Sequence, residues 1–233
     1  MVTAVTADSG ASSVVTALYV RTRALHLEAE RTGVVAEILR GGASREGYAL
    51  LLRNLHPAYR EIEDGIERHR NSPILAPLAR WRLARTSAIA ADLTALAGPD
   101  WAAQWPLLPE GEAYARTISR AAEGDGSRLI AHAYTRYLGD LNGGLIVRRL
   151  LEKSLGLGAG ELSHYDFSAI AEPAALKTDY RQALERAGAA AHDTDAIVAE
   201  GAVAFECNIA LSIAVQRHLA GKPAPQSQGV GSP

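Results

Sequence analysis

Residues 134–144 read Tyr-Thr-Arg-Tyr-Leu-Gly-Asp-Leu-Asn-Gly-Gly, setting three glycines and an aspartate inside a segment whose flanks favour helix. A glycine in a helix interior costs roughly 1 kcal/mol relative to alanine, so three of them imply a need for bare backbone, a kink or the close approach of another group. Outward from this stretch, Leu, Ala, Glu and Arg recur at spacings of three and four, whereas alternating β-type patterns are scarce. The periodicity predicts an all-α fold.

Helices are expected over 14–31, in a short piece ending at Arg40, and from Ser44, a candidate N-cap, to about Arg70. Asn71-Ser72-Pro73 breaks the chain, and Pro77 falls in the first turn of the next helix, which ends near Gly98-Pro99. Residues 101–109 read as an irregular packed connection. Further helices are expected over 110–123, 127–155, 172–187 and 193–219, with 156–168 as a flexible link. Residues 1–13 and 221–233 read as flexible tails, the latter rich in Gly, Pro, Ser and Gln, which leaves 14–220 as a single helical domain.

Twenty-four basic and 26 acidic residues give a formal charge of −2, so no global field selects nucleic acid or an anionic membrane. Cys207 is the only cysteine, which excludes an intrachain disulfide and fits a reducing cytoplasm. No segment approaches the roughly 20 apolar residues that span a bilayer, so the reading has no membrane partner.

Three constellations carry chemistry. His26 and Glu30 lie one turn apart on the first helix, where a ring nitrogen of His26 can ligate a metal while Glu30 accepts from the other. The alternative is an ordinary surface pair. Gly139 and Gly143 share a helical face, with Asp140 and Gly144 beside it, a surface where a flat ligand can touch backbone and Asp140 can hold a water for proton relay. The alternative is tight helix–helix packing through small residues. Lys177, Tyr180 and Arg181 on a late helix, with Arg23, can clamp carboxylates at a pocket mouth, or simply solvate a face. Phe205 and Asn208 read by default as core.

Together these residues resemble the heme oxygenase family. Ala131-His-Ala-Tyr-Thr-Arg-Tyr-Leu-Gly-Asp-Leu-Asn-Gly-Gly144 is similar to that family's distal-helix sequence, Leu25-His-Leu-Glu-Ala-Glu30 to its proximal-ligand sequence, and Ile66-Glu-Arg-His-Arg-Asn-Ser-Pro73 to a further family stretch. The resemblance implies heme, both cofactor and substrate, held between a proximal helix bearing His26 and a kinked distal helix bearing Gly139 to Gly144. It makes His26 the axial iron ligand, backed by Glu30. It pairs Arg23, Lys177 and Arg181 with the heme propionates, places Tyr134 at the same edge and Phe205 near the macrocycle, and gives Tyr59, Arg136, Asp140 and Asn208 the task of organising distal water.

The implied reaction opens heme to biliverdin with release of iron and carbon monoxide, using O2 and external electrons from a ferredoxin or a flavin or NADPH reductase. Cleavage at the α-meso carbon is expected, with Arg148 and Arg149 at the docking surface and a photoreceptor such as a phytochrome as a downstream bilin acceptor. Tyr19 stands where many members carry a basic residue, and Asn142 and Leu145 replace common polar residues of the distal motif. The rivals are a heme carrier or sensor that leaves the ring intact, a helical interaction domain, and a non-heme carboxylate metal protein, the last lacking a repeated Glu-x-x-His pair. His132 reads as structural or solvent-facing. His56, His69, His164, His192 and His218 show no partner pattern and are assigned no chemistry.

Overall fold

The computed structural model describes residues 13–81, 83–170 and 172–221, so the expected tails at 1–12 and 222–233 lie outside the described residues. The first helix, α1 (Val14–Ala29), is capped by Ser13, whose hydroxyl accepts the Thr16 N–H. Ser13 therefore belongs to the helical fold rather than to a tail. α2 (Gly33–Leu39) follows after a tight reversal at Gly33, which has φ +61° and sits so close to Ser212 that a Cβ would lie 2.3 Å from its carbonyl carbon. α3 (Arg45–Arg68) starts where Ser44 predicts, its hydroxyl accepting the Gly47 N–H at 2.9 Å. One face of α3 buries Tyr48, Leu52, Leu55, Tyr59 and Ile62.

The helix expected from Pro77 to Gly98 is two helices, α4 (Ala76–Ala79) and α5 (Thr86–Ala97). Glu63 of α3 is the cause. Its Oε1 accepts the N–H groups of Arg85 at 2.6 Å and Thr86 at 2.9 Å, so it caps α5 from another element. α6 (Trp101–Gln104) puts a turn of helix into the connection expected to be irregular. The rest of that connection is pinned by buried Asn54, which donates to Pro106 O at 3.2 Å and accepts from Leu108 N at 2.7 Å. α7 (Pro109–Ala121) then packs on α3.

The helix expected over 127–155 consists of α8 (Leu129–Ala133), a π turn (Tyr134–Leu138) and α9 (Gly139–Leu155). Single π turns inside α-helices recur at functional sites. Here the irregularity falls immediately before the glycines. On α8, His132 is fully buried and its Nε2 lies 3.0 Å from Glu200 Oε1, so of its two expected roles the structural one holds and the solvent-facing one does not. α10 (Pro173–Ala190) and α11 (Thr194–Ala220) complete the fold. By length and composition α11 is apolar enough to cross a membrane, contrary to the sequence reading. It is the central packing helix, lying against α1, α2, α3, α7 and α8, and that burial accounts for its apolar character.

Residues 156–168 are not a loose link either. They form two 3-10 turns, Ala159–Glu161 and Ser163–Tyr165, with Leu162 and His164 buried. The fully buried carboxylate of Asp92 on α5 accepts the N–H groups of Ser163 and His164, each at 2.8 Å, and the Ser163 hydroxyl. Arg85 donates to Asp166 O at 2.7 Å and stacks over Phe167. Two charged side chains thus fix a segment that lacks a long helix of its own. Asp92→Ala should cost about 2–4 kcal/mol by leaving buried donors unpaired, and Asp92→Asn, which keeps a carbonyl acceptor, should cost less. Urea unfolding of the two variants checks this, and a loss below about 0.5 kcal/mol for Asp92→Ala would show that the segment does not depend on the carboxylate.

Candidate active site

A cavity of about 450 Å³ opens between α1, α2, the π turn, α9 and α11, within the roughly 300–1,000 Å³ typical of cofactor and small-molecule sites. Its apolar walls come largely from Val35, Ile38, Leu51, Leu55, Leu138 and Val147. His26 lines it from α1 and stays largely exposed, its ring 5.7 Å from that of Phe205 on α11. Nδ1 of His26 is the ring nitrogen nearer Glu30, 3.6 Å from its Oε1 and so beyond hydrogen-bond length, and Nε2 is the nitrogen turned away from that carboxylate.

The three glycines part company here. A Cβ on Gly139 or Gly143 would meet nothing within 4 Å, although both line the cavity, so neighbouring helices do not require these glycines. The packing alternative therefore fails for both. Gly144 is different: a Cβ there would lie 2.9 Å from Cδ1 of Tyr165, so this glycine answers to the ring packed on it.

Beside the open glycines the carboxyl of Asp140 is buried in the first turn of α9. Tyr59 of α3 donates to its Oδ2 at 2.5 Å. Arg136, one turn earlier, approaches Oδ1 at 3.9 Å, donates to Asn208 Oδ1 at 2.7 Å, and lies over the Tyr59 ring. Burial pushes the Asp140 carboxyl up to about 6, against the opposing pull of Arg136 and the Tyr59 hydrogen bond. Burial also works against the charge on Arg136, but the surrounding tyrosines and Asp140 outweigh it and hold the guanidinium protonated. The result is a carboxyl poised near neutrality, held by a fixed cation and a phenol.

Comparison with known proteins decides the affiliation. The family model described as heme oxygenase matches residues 12–214. The chain is 34% identical to heme oxygenase 1 of Nostoc sp. over 199 residues, covering 85% of this chain and 84% of that protein. It is 34% identical to heme oxygenase of Takifugu rubripes, covering 91% and 76%. The chain belongs to the heme oxygenase family. The crystal structure of heme oxygenase-1 from the cyanobacterium Synechocystis sp., in complex with heme, superposes with a TM-score of 0.82 at 29% identity over 89% of this chain and 94% of that one. Heme oxygenase from Leptospira interrogans superposes with a TM-score of 0.79 at 28% identity, covering 87% and 99%.

Of the residues that heme oxygenase resemblance singles out, the cavity gathers His26, Glu30, Tyr134, Arg136, Gly139, Asp140, Gly143, Gly144, Phe205 and Asn208. Tyr59 stands behind Asp140 rather than in the wall. Arg23, Lys177 and Arg181 are exposed, outside the wall, and form no ion pair among the described residues. Arg181 is near enough to Tyr134 to act on its phenol. Tyr180 does not join them at a mouth: its side chain is buried, its ring lies 6.1 Å from that of Tyr137, and it faces a separate hollow beside Glu63 and Leu83. Arg148 is engaged by Glu152 at 2.9 Å, whereas Arg149 is exposed. His164, given no chemistry by its sequence context, lines the cavity within 3.9 Å of Asp140. The cluster Leu162, Tyr165 and Phe167 around it was the available signal, since that density of apolar groups does not suit a solvated linker.

Two outcomes follow from this geometry. Gly139→Ala and Gly143→Ala should leave the heme-free protein as stable or up to about 1 kcal/mol more stable, because the added methyl meets no atom, while weakening heme binding. Gly144→Ala should lose stability through the Tyr165 contact. Thermal melts of the three variants, with and without hemin, separate the cases, and destabilisation of the heme-free form by Gly139→Ala would return that glycine to a packing role. The second concerns Asp140. An acid whose folded pKa is raised binds its proton more tightly in the folded chain, so its burial costs nothing below about pH 4 and reaches full cost, on the order of 2–3 kcal/mol, above about pH 6. Asp140→Asn should be the more stable protein at pH 8, with the difference closing toward pH 4. Urea midpoints at pH 4, 6 and 8 test this; a constant gap would mean that the charge is not what burial penalises.

Proposed function

We infer that the cavity takes heme as substrate, with Nε2 of His26 as the iron ligand, and that the chain opens the macrocycle as its family does. The observation that carries this reading is the coexistence, in one cavity, of His26, a buried Asp140 whose pKa is raised to about 6, and two glycines at which no protein atom excludes a side chain. A flat ligand is what such bare backbone accommodates. Heme supplies the iron at which O2 is reduced and the ring that is converted to biliverdin with release of iron and carbon monoxide.

The chain's own residues supply position and protons. Glu30 beside Nδ1 of His26 favours the tautomer that leaves Nε2 free. Arg23, Lys177 and Arg181, exposed and without ion pairs among the described residues, suit the propionates, with Tyr134 between Arg181 and the cavity. Phe205 packs beside the His26 ring and supports the macrocycle. Asp140, close to the pKa at which a group both takes and gives a proton near neutrality, holds the proton for the distal side. Tyr59, Arg136 and Asn208 fix its carboxyl in place. The bare backbone at Gly139 and Gly143 would let heme lie close to the distal helix, and α-meso cleavage is the regiochemistry that the family resemblance implies.

Electrons come from an external donor of the ferredoxin or flavin or NADPH reductase class, for which exposed Arg149 is the better docking group and Arg148, held by Glu152, the poorer. The same reading includes a cytoplasmic location, supported by the single cysteine, and delivery of the bilin to an acceptor such as a phytochrome. One equivalent of hemin should give a Soret band. Ascorbate or a reductase system in air, with catalase and an iron chelator, should replace that band with biliverdin absorbance, and chromatography of the product should give mainly the α isomer. His26→Ala should reduce turnover at least 100-fold. Wild-type rates in that variant would remove the ligand assignment, and a Soret band that survives reductant and O2 would mark a carrier instead.

A further inference from the structure

His164 is the ionisable side chain nearest Asp140 in the cavity wall that the scheme above leaves without a role, alongside the unused polar groups of Thr135, Asn142 and Tyr165. Its Nε2 lies 3.9 Å from Asp140 Oδ1, too long for a direct hydrogen bond and suited to one bridging water. Its Nδ1 is buried without a hydrogen-bond partner among the described residues. An unpaired buried nitrogen is less costly as a bare acceptor than as an N–H donor, which favours leaving the ring proton on Nε2, the nitrogen that faces Asp140. The ring is also firmly placed. Tyr59 and Tyr165 meet it edge-on at 5.1 and 4.6 Å, and the turn that carries it is held through its backbone by Asp92.

Charged and titratable groups surround this residue: Asp140 and Arg136 from the distal helix, Tyr59 from α3 and Tyr165 from its own turn face the imidazole, Arg85 acts on it from the segment before α5, and Asp92 of α5 accepts its backbone N–H. Burial, then Arg136 and Arg85, hold the ring neutral well below the ordinary histidine range. A neutral imidazole beside a carboxylate presents its N–H to it, which selects the Nε2–H tautomer.

We propose that His164 is a positioning residue for the proton chemistry of Asp140, its Nε2–H acting through one bridging water to stabilise the ionised carboxylate and thereby set the pH at which Asp140 gives up its proton. This deepens the reading of the cavity as a heme site and rests on it. His164 then acts on Asp140 in the same direction as Arg136, as a neutral dipole rather than a fixed cation.

The test uses the full chain. In the heme-free protein, carboxyl carbon NMR, assigned with Asp140→Asn, follows the titration of Asp140. His164→Phe keeps the ring and its edge-on contacts while removing both nitrogens, and His164→Gln retains an N–H. The midpoint is expected near 6 in wild type, about one pH unit higher in His164→Phe, a tenfold change, and close to wild type in His164→Gln. Ring-nitrogen NMR of the unsubstituted protein gives an independent reading that needs no variant: the Nε2–H neutral tautomer is required at pH 7. An unmoved Asp140 midpoint in a folded His164→Phe protein overturns the proposal, as does an Nδ1–H tautomer or a protonated ring. So does a bis-imidazole spectrum in the wild-type hemin complex that His164→Phe abolishes, since His164 would then be an iron ligand. Absence of any Soret band would instead sink the heme reading while leaving the titration interpretable, so the two failures are distinguishable.

Discussion

A carboxyl group buried at the first turn of α9 is the constraint around which this molecule is arranged. Ionised carboxylates are costly away from water unless paired and hydrogen-bonded, and Asp140 obtains both from separate elements. Tyr59 reaches it from α3, and Arg136 from the π turn one helical turn earlier, itself held by Asn208 of α11. Three elements must therefore meet in register, and the long hydrophobic face of α3 and the central position of α11 are what bring them there. The compensation is deliberately incomplete in effect: the carboxyl is left near 6 rather than driven to either extreme. A fully compensated carboxylate would be a poor proton donor, and an uncompensated one would stay protonated.

What the sequence made legible was whatever is encoded by local cost. The glycines were visible because bare backbone in a helix is unfavourable anywhere, and the Ser44 cap and the His26–Glu30 spacing are likewise local. What it hid was encoded at a distance. The break between α4 and α5 depends on Glu63, whose carboxylate caps α5 from another helix, and the course of residues 163–165 depends on Asp92, also far away in sequence. Neither partner can be read from a window around the affected residues. Tyr180 is a different case, because its position was readable. Leu176, Tyr180, Ala183, Leu184 and Ala187 are all buried and fall on one helical stripe, while Lys177 and Arg181 share the adjacent exposed face. Grouping residues by chemical type placed the phenol with the cations, whereas the helical period separates them.

The glycines also show why a motif alone cannot distinguish packing from binding. Gly144 and Gly143 are neighbours in sequence and identical in cost to an isolated helix, yet a Cβ on one strikes Tyr165 and on the other meets nothing. The first glycine is paid for by contacts that exist in the folded chain. The second remains a local penalty in the protein by itself, and such residues persist where function, not stability, selects them.

The two sides of the cavity are built to different tolerances. On the distal side Asp140, Tyr59, Arg136 and Asn208 interlock, and Asp92 and Arg85 fix the backbone that carries His164. On the α1 side His26 is more than half exposed and its approach to Glu30 is 3.6 Å, so neither group is locked by the protein. A large flat substrate has to enter and its product has to leave, which a cavity rigid on both faces would resist. On the proposed reading, chemistry on the distal side depends on geometry held to within a fraction of an ångström, whereas His26, on a helix surface, can close onto its target as binding proceeds. That reading puts the burden of preorganisation at Asp140, where the proton would be handled, and the freedom at His26, where the substrate would be admitted.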